Sequence, residues 1–288
     1  MSSERKDARD LLAFYVEAGA DALLGEEAVD RMADEIAPSP PPAGGRPDGE
    51  AVRVGGSNQR APLQNGPTPD RMQRSVPSPT AEGKALATPD AAIMAAREAA
   101  RTAANLDALR NLLESFEGCS LRNTATQLVF ADGNPEGRVM FVGEAPGHEE
   151  DISGRPFVGR SGKLLDRMIE AIGLDRSKVY IANVVPWRPP GNRTPTPQET
   201  AICLPFIRRQ IELANPDILV CLGGPSMQTL LGTKDGITRM RGRWFPFDTG
   251  TREIKAMATF HPAFLLRSPL QKRLSWRDFL AIKKALAE

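Results

Sequence analysis

Four short, nearly continuous apolar runs mark out the second half of the chain: Arg138–Val142, Val179–Val184, Ile218–Leu222 and Lys255–Phe260. Runs of this length without polar alternation predict strands buried on both faces. Between them the period changes. Leu164, Leu165, Met168, Ile169 and Ile172 share one side of a 3.6-residue helix. Thr196-Pro-Gln-Glu199 has the form of a capping box with proline at the first helical position, and predicts a helix to about Leu213. Pro205 inside it predicts a kink. Ser275-Trp-Arg-Asp278 predicts the start of a last helix that runs to about Ala287. Strands alternating with helices indicate an α/β fold, a parallel sheet with helices on both faces.

The first third reads differently. Leu11, Leu12, Tyr15, Val16 and Leu23 form an amphipathic stripe over 5–23, weakened by Gly19 on the same side. This segment, within 1–36, is suited to dock on the body or on a partner. From 37 to 90 the chain is rich in Pro, Gly, Ala and Ser. Such a stretch cannot bury enough apolar surface to offset its ordering entropy, and predicts a disordered linker. An Ala-rich helix is expected over about 90–115, so the domain spans 91–288 with its core over 112–288. No internal repeat is visible.

Composition narrows the class. Of 288 residues, 41% are hydrophobic and 25% charged, as in ordinary globular proteins. No apolar run approaches the roughly 18–20 residues that span a bilayer, and the charged start lacks a signal-peptide core. The expected compartment is the cytoplasm. Cys119, Cys203 and Cys221 are few, odd in number and far apart, which argues against a disulfide framework. The net charge of +1 hides an asymmetry: from Cys119 onward there are 24 Lys and Arg against 17 Asp and Glu. A basic second half suits a polyanion such as DNA, although an ordinary solvated surface has the same look.

The chemistry gathers where the strands end. The first runs into Gly143-Glu-Ala-Pro-Gly147 with Glu150 and Asp151 following; the second ends at Asn183; the third at Gly223-Gly224; the fourth at His261-Pro262. Ligands of parallel α/β sheets bind beyond the carboxyl ends of strands, so these clusters are expected to share one pocket. Gly143–Gly147 lacks the pattern of a phosphate loop, which sets aside a nucleotide-binding protein.

Gly-Glu-Ala-Pro-Gly-x-x-Glu-Asp (143–151), Gly-Arg-Pro-Phe-Val-Gly (154–159), Ser-Gly-Lys-Leu-Leu (161–165), Asn183 with Arg-Pro-Pro-Gly-Asn-Arg (188–193), and His-Pro-Ala-Phe-Leu-Leu-Arg (261–267) resemble, in order, the motifs of type-4 uracil-DNA glycosylases. The resemblance covers about 112–288. It implies a three-layer sandwich around a central four-stranded parallel sheet. It also implies hydrolysis, with water as nucleophile, of the bond between uracil and its sugar in DNA, after the base is flipped from the stack. By resemblance Phe157 stacks on the base and Asn183 reads its edge. His261 donates to uracil O2, ahead of the competing His148, which suits a solvent or phosphate contact. Gly143 and Ala145 line the base, and Glu144 and Glu150 are catalytic candidates, with Asp151 a further carboxylate. Ser161 at a helix start, Lys163 and Arg267 are expected on DNA, with Leu265 or Leu266 as a wedge. Arg188, Arg193, Arg239, Arg241 and Arg243 are candidates for the same face.

One departure stands out. Members of this family usually hold a four-iron, four-sulfur cluster on four cysteines. Here Cys119 and Cys203 match two positions, while Phe116 and Trp187 occupy the others. Cys221, mid-strand, reads as a small core residue. The expectation is a cluster-free protein, monomeric and acting on uracil-containing DNA near the nucleoid. Two rivals remain: a glycosylase for other deaminated or mismatched bases, and a DNA-lesion binder without catalysis.

Overall fold

A computed structural model describes residues 89–287. The amphipathic stretch expected over 5–23 and nearly all of the expected linker lie outside the described residues.

The Ala-rich segment is two helices, not one: α1 (Pro89–Thr102) and α2 (Leu106–Ser115). The break falls at Asn105, whose side chain accepts from the Ala108 N–H at 2.8 Å and so caps α2. α1 buries Ala92, Ala96 and Ala100 and packs on α5 (Pro197–Ala214), so the compact body begins before the expected core. A 3-10 turn (Ser120–Asn123) leads to β1 (Asp132–Gly133) and β2 (Val139–Gly143). Then come α3 (His148–Ser153), α4 (Arg160–Glu170), β3 (Val179–Asn183) and, after α5, β4 (Ile218–Leu222). α6 (Gly224–Leu231), α7 (Ile237–Met240), β5 (Trp244–Asp248), β6 (Glu253–Thr259), α8 (Pro262–Arg267) and α9 (Lys272–Ala287) complete the chain.

The sheet order is β1-β3-β2-β4-β6-β5. The four inner strands are mutually parallel, as the apolar runs predict, and β1 and β5 pair antiparallel at the two edges. The sheet is therefore six-stranded, a central parallel four plus two edges. Val139, Phe141, Ile218 and Val220 point into one core with α4 and α9. Met140, Val142, Leu219 and Cys221 point into the other, with α1, α2, α5 and α6. This period-two division gives three layers.

Two expectations about helices change. α5 is capped as predicted: Glu199 N–H donates to Thr196 Oγ1 at 3.2 Å, and Thr196 N–H donates to Glu199 Oε2 at 2.7 Å. It continues as one helix through Pro205. α9 starts three residues before Ser275, which is buried inside the helix, 3.2 Å from the Thr259 hydroxyl.

The connections position the site. From β2 the chain turns toward α4 on one face; from β4, its neighbour, it turns toward α6 on the other. The loops therefore part at the carboxyl ends of β2 and β4 and leave a crevice.

Candidate active site

A cavity of about 780 Å³ occupies that crevice. Glu144, Ala145, Phe157, Ser161, Asn183 and His261 all line it, together with Gly223, Phe260 and Arg267. Sequence-distant strand ends thus converge as expected. Gly143 and Asn183 are directly paired across β2 and β3. A Cβ on Gly143 would lie 2.4 Å from Asn183 Oδ1 and 2.6 Å from Phe157 Cζ, so only glycine lets these two side chains meet there.

Two buried side-chain oxygens among the described residues have no hydrogen-bond partner: Asn183 Oδ1 and Glu144 Oε1. Both belong to this cavity. A buried acceptor left unpaired costs about 1–3 kcal/mol, so two at one place mark a surface built for donors from outside the chain. Burial also raises the Glu144 carboxyl above its ordinary value.

His261 caps α8, its Nδ1 accepting from the Ala263 N–H at 3.1 Å. An imidazole whose Nδ1 accepts carries its proton on Nε2. Burial, reinforced by the charge of Arg267, lowers its pKa to about 4, so the ring is neutral near pH 7. The ring of Phe157 stands 5.5 Å from that of His261. Gly223, at φ +91°, would place a Cβ 3.0 Å from His261 Cβ, and its absence gives the histidine its place.

The carboxylates separate by what they hold. Glu150 is buried, and both its oxygens are engaged: Oε1 accepts from Val158 and Gly159 N–H at 3.0 Å each, Oε2 from Gly147 N–H at 3.1 Å. That is the bonding of a loop brace rather than of a group free to hold water. Asp151 accepts from the Thr126 N–H and hydroxyl, both at 2.8 Å, and ties a neighbouring loop.

Other expected positions fall out differently. Leu265 is fully buried in the core with α4 and α9, so it is not a wedge; the amphipathic turn of α8 points it inward. Leu266 and Leu270 are the exposed leucines of this segment. Arg267 is exposed at the cavity, whereas Lys163 is exposed but does not line it. Arg193 lines it while forking onto Glu199. Arg188 bonds Asn192 and lies 3.1 Å from His148 Nδ1, and His148 is outside the lining. Arg241 is tied to Asp278 in a buried pair, Arg239 pairs with Asp235, and Arg243 packs over Phe245. Ile237, Thr238 and Phe264 also line the cavity. No motif marks Ile237 and Thr238, which sit on a short helix; Phe264 lies within the 261–267 motif but carried no assigned role.

The positions of the usual cluster ligands do not suit iron and sulfide. Cys119 and Cys203 are fully buried and hydrogen-bonded to each other, a contact that, with burial, holds Cys203 well above the usual thiol range. Phe116 packs edge-on against Phe206 with ring centroids 4.9 Å apart, and Trp187 is 2% exposed. Two thiols and two aromatic rings do not supply the four soft ligands such a cluster takes. No group of three or more His, Cys, Asp or Glu among the described residues is arranged to hold a metal ion.

Comparison with known proteins agrees with this geometry. The family model of the uracil DNA glycosylase superfamily matches residues 130–281. The type-4 uracil-DNA glycosylase of Thermotoga maritima is 47% identical over 151 residues, 52% of this chain and 77% of the relative. That of Archaeoglobus fulgidus is 39% identical over 182 residues, 62% of this chain and 92% of the relative. That of Sulfurisphaera tokodaii is 39% identical over 185 residues, 62% and 84% of the two chains. With its pocket at the mouth of a parallel sheet and these relatives along most of their length, the chain belongs to the uracil DNA glycosylase superfamily, within its type-4 group.

Proposed function

We propose that this protein hydrolyses the N-glycosidic bond of uracil in DNA, the opening step of base excision repair. The observation that carries the reading is the pair of unanswered oxygens, on Asn183 and Glu144, facing one cavity.

Each residue then has a task. An everted uracil stacks on Phe157. Asn183 Oδ1 accepts its N3–H while the amide nitrogen donates to O4; cytosine presents the reverse pattern and is refused. As the bond breaks, negative charge grows on the base and positive charge on the sugar. Neutral His261 donates through Nε2–H to O2, where the charge develops. A donor that is already neutral loses no proton equilibrium in doing so. Glu144, with one oxygen unengaged, orients the attacking water and faces the positive sugar. Glu150 holds the loops that carry Gly147 and Phe157. Ser161, near the start of α4, and Arg267 receive flanking phosphates. Leu266 and Leu270, rather than Leu265, are the apolar side chains offered to the gap in the stack. We further propose that the chain folds without an iron–sulfur cluster, with Phe116 and Trp187 filling that volume.

The test is base release from oligonucleotides that each carry one uracil, hypoxanthine, xanthine or mismatched thymine. The parent protein is expected to release uracil. Asn183→Ala and His261→Ala are each expected to lose about 10³-fold or more. Tight binding of uracil DNA with no base released by the parent overturns the reading in favour of a lesion binder. Release of hypoxanthine at the rate of uracil replaces it with a broader glycosylase.

A further inference from the structure

Phe157 has a φ of +55°, in the left-handed region that a residue with a side chain seldom occupies. Such a backbone persists where its surroundings over-determine it, and these conformations gather at functional sites. Glu150 holds the N–H groups of Val158 and Gly159 on one side. On the other side lies Arg176, in the short turn before β3 and outside the cavity lining.

The Arg176 guanidinium donates through Nη1 to the Pro156 carbonyl at 3.1 Å and through Nη2 to the Phe157 carbonyl. These two carbonyls bracket the φ and ψ of Phe157. In an extended chain successive carbonyls point to opposite sides. Binding both to one planar cation therefore fixes the turned backbone of Phe157 itself. The guanidinium is in turn anchored by Asp166 on α4, Nε to Oδ1 at 2.9 Å, and by Asp132 on β1. Its side chain is 24% exposed, and these partners take four hydrogen bonds from its three nitrogens. No other cationic side chain has this fork: lysine offers a point charge without two parallel donors.

We propose that Arg176, set by Asp132 and Asp166, is a positioning residue of the uracil pocket, acting through Phe157 to hold its ring over the base. The inference rests on the pocket reading above. The ring that Arg176 steers stands 5.5 Å from His261 and against Gly143, so a turn of the Phe157 backbone moves the platform relative to both His261 and Asn183.

The test is a double-mutant cycle on the full chain. Uracil release is measured in single turnover with enzyme in excess, for the parent, Arg176→Lys, Phe157→Ala and the double variant. Thermal midpoints and affinity for uracil-free duplex are taken in parallel. Arg176→Lys is expected to slow release by about 10- to 100-fold, the scale of a misplaced reacting geometry. Its affinity for uracil-free duplex stays within about twofold, and the double variant is no more than about twofold slower than Phe157→Ala, as for residues acting through one another. Parental release by Arg176→Lys, or losses that multiply in the double variant, overturn the inference. A lowered midpoint with an unchanged rate means a purely structural role and overturns it too. Should Phe157→Ala itself release uracil at the parental rate, the pocket reading fails instead. If Arg176→Lys does not melt cooperatively, Asp132→Asn and its double with Phe157→Ala carry the same comparison, with the guanidinium kept and one anchor weakened.

Discussion

The Ala263 N–H, donating to His261 Nδ1, fixes the neutral ring with its proton on Nε2, the nitrogen left to donate. The imidazole is held to about 4 by burial first and by Arg267 second, so it stays neutral across the range in which a free histidine titrates. In single-turnover release His261 is therefore expected to add no inflection between about pH 5 and 8 and to titrate only near pH 4, while a fall on the acid side above that belongs to Glu144, whose carboxyl burial raises. A step near pH 6.5 that persists in Glu144→Gln contradicts this assignment. The same group acts on stability. Between about 4 and 6.5 the unfolded chain binds a proton that the folded one does not, so stability falls as pH drops through that window, by up to about 3 kcal/mol, and levels off below it. At this scale the sequence is a good guide where a polar residue follows directly on an apolar strand: Glu144, Asn183 and His261 are legible because a strand end fixes where they point. Leu265 is not legible. A leucine on a one-turn helix faces core or solvent according to the rotation of that helix, and its neighbours in sequence, Phe264 and Leu266, are apolar as well. The tasks of Glu144 and Glu150 separate only once the N–H groups around Glu150 are seen.

α4 shows an element shaped by its neighbour. Gly162 sits in its first turn, where alanine is ordinarily the better helix former by about 1 kcal/mol. Here a Cβ would stand 1.7 Å from the Phe157 carbonyl oxygen and 2.0 Å from its carbon, in a carbonyl that also accepts from the Arg176 guanidinium. The sign of the substitution therefore inverts. Gly162→Ala is expected to lower stability by about 1–3 kcal/mol, as overpacking does. It is also expected to cut uracil release at least about 100-fold, because the residue displaced is Phe157. Thermal melting and single-turnover assays read the two effects separately; a variant as stable and active as the parent denies the close approach. The inner strands were legible as apolar runs because a sheet covered on both faces needs no polar alternation. β5 was not: Trp244-Phe-Pro-Phe-Asp248 carries a proline, which an edge strand tolerates and a sequence pattern reads as a break. The division between α1 and α2 was hidden by an apolar pattern that runs across it, with Asn105 as its sole marker.

Across the whole molecule the α1, α2 and α5 side is closed by packing where relatives of this type usually place iron. Phe116, Trp187, Cys119 and Cys203 belong to or pack against one continuous core that also holds Leu109, Leu113 and Phe206. Protein purified without air is expected to carry well under one iron and one acid-labile sulfide per chain, and to keep its melting midpoint on treatment with a chelator. About four irons per chain would refute this. The substitutions themselves were plain in the sequence; that two large rings are accommodated without opening the core required the coordinates. The three layers also dispose of their own margins. One rim of the sheet is a strand of only two residues, and the other is a strand interrupted by Pro246, which has no N–H to give. Neither border offers a second copy a long ladder to extend. Pairing of copies edge to edge through this sheet is thereby disfavoured, and the pocket at the strand ends is left clear of any such ladder.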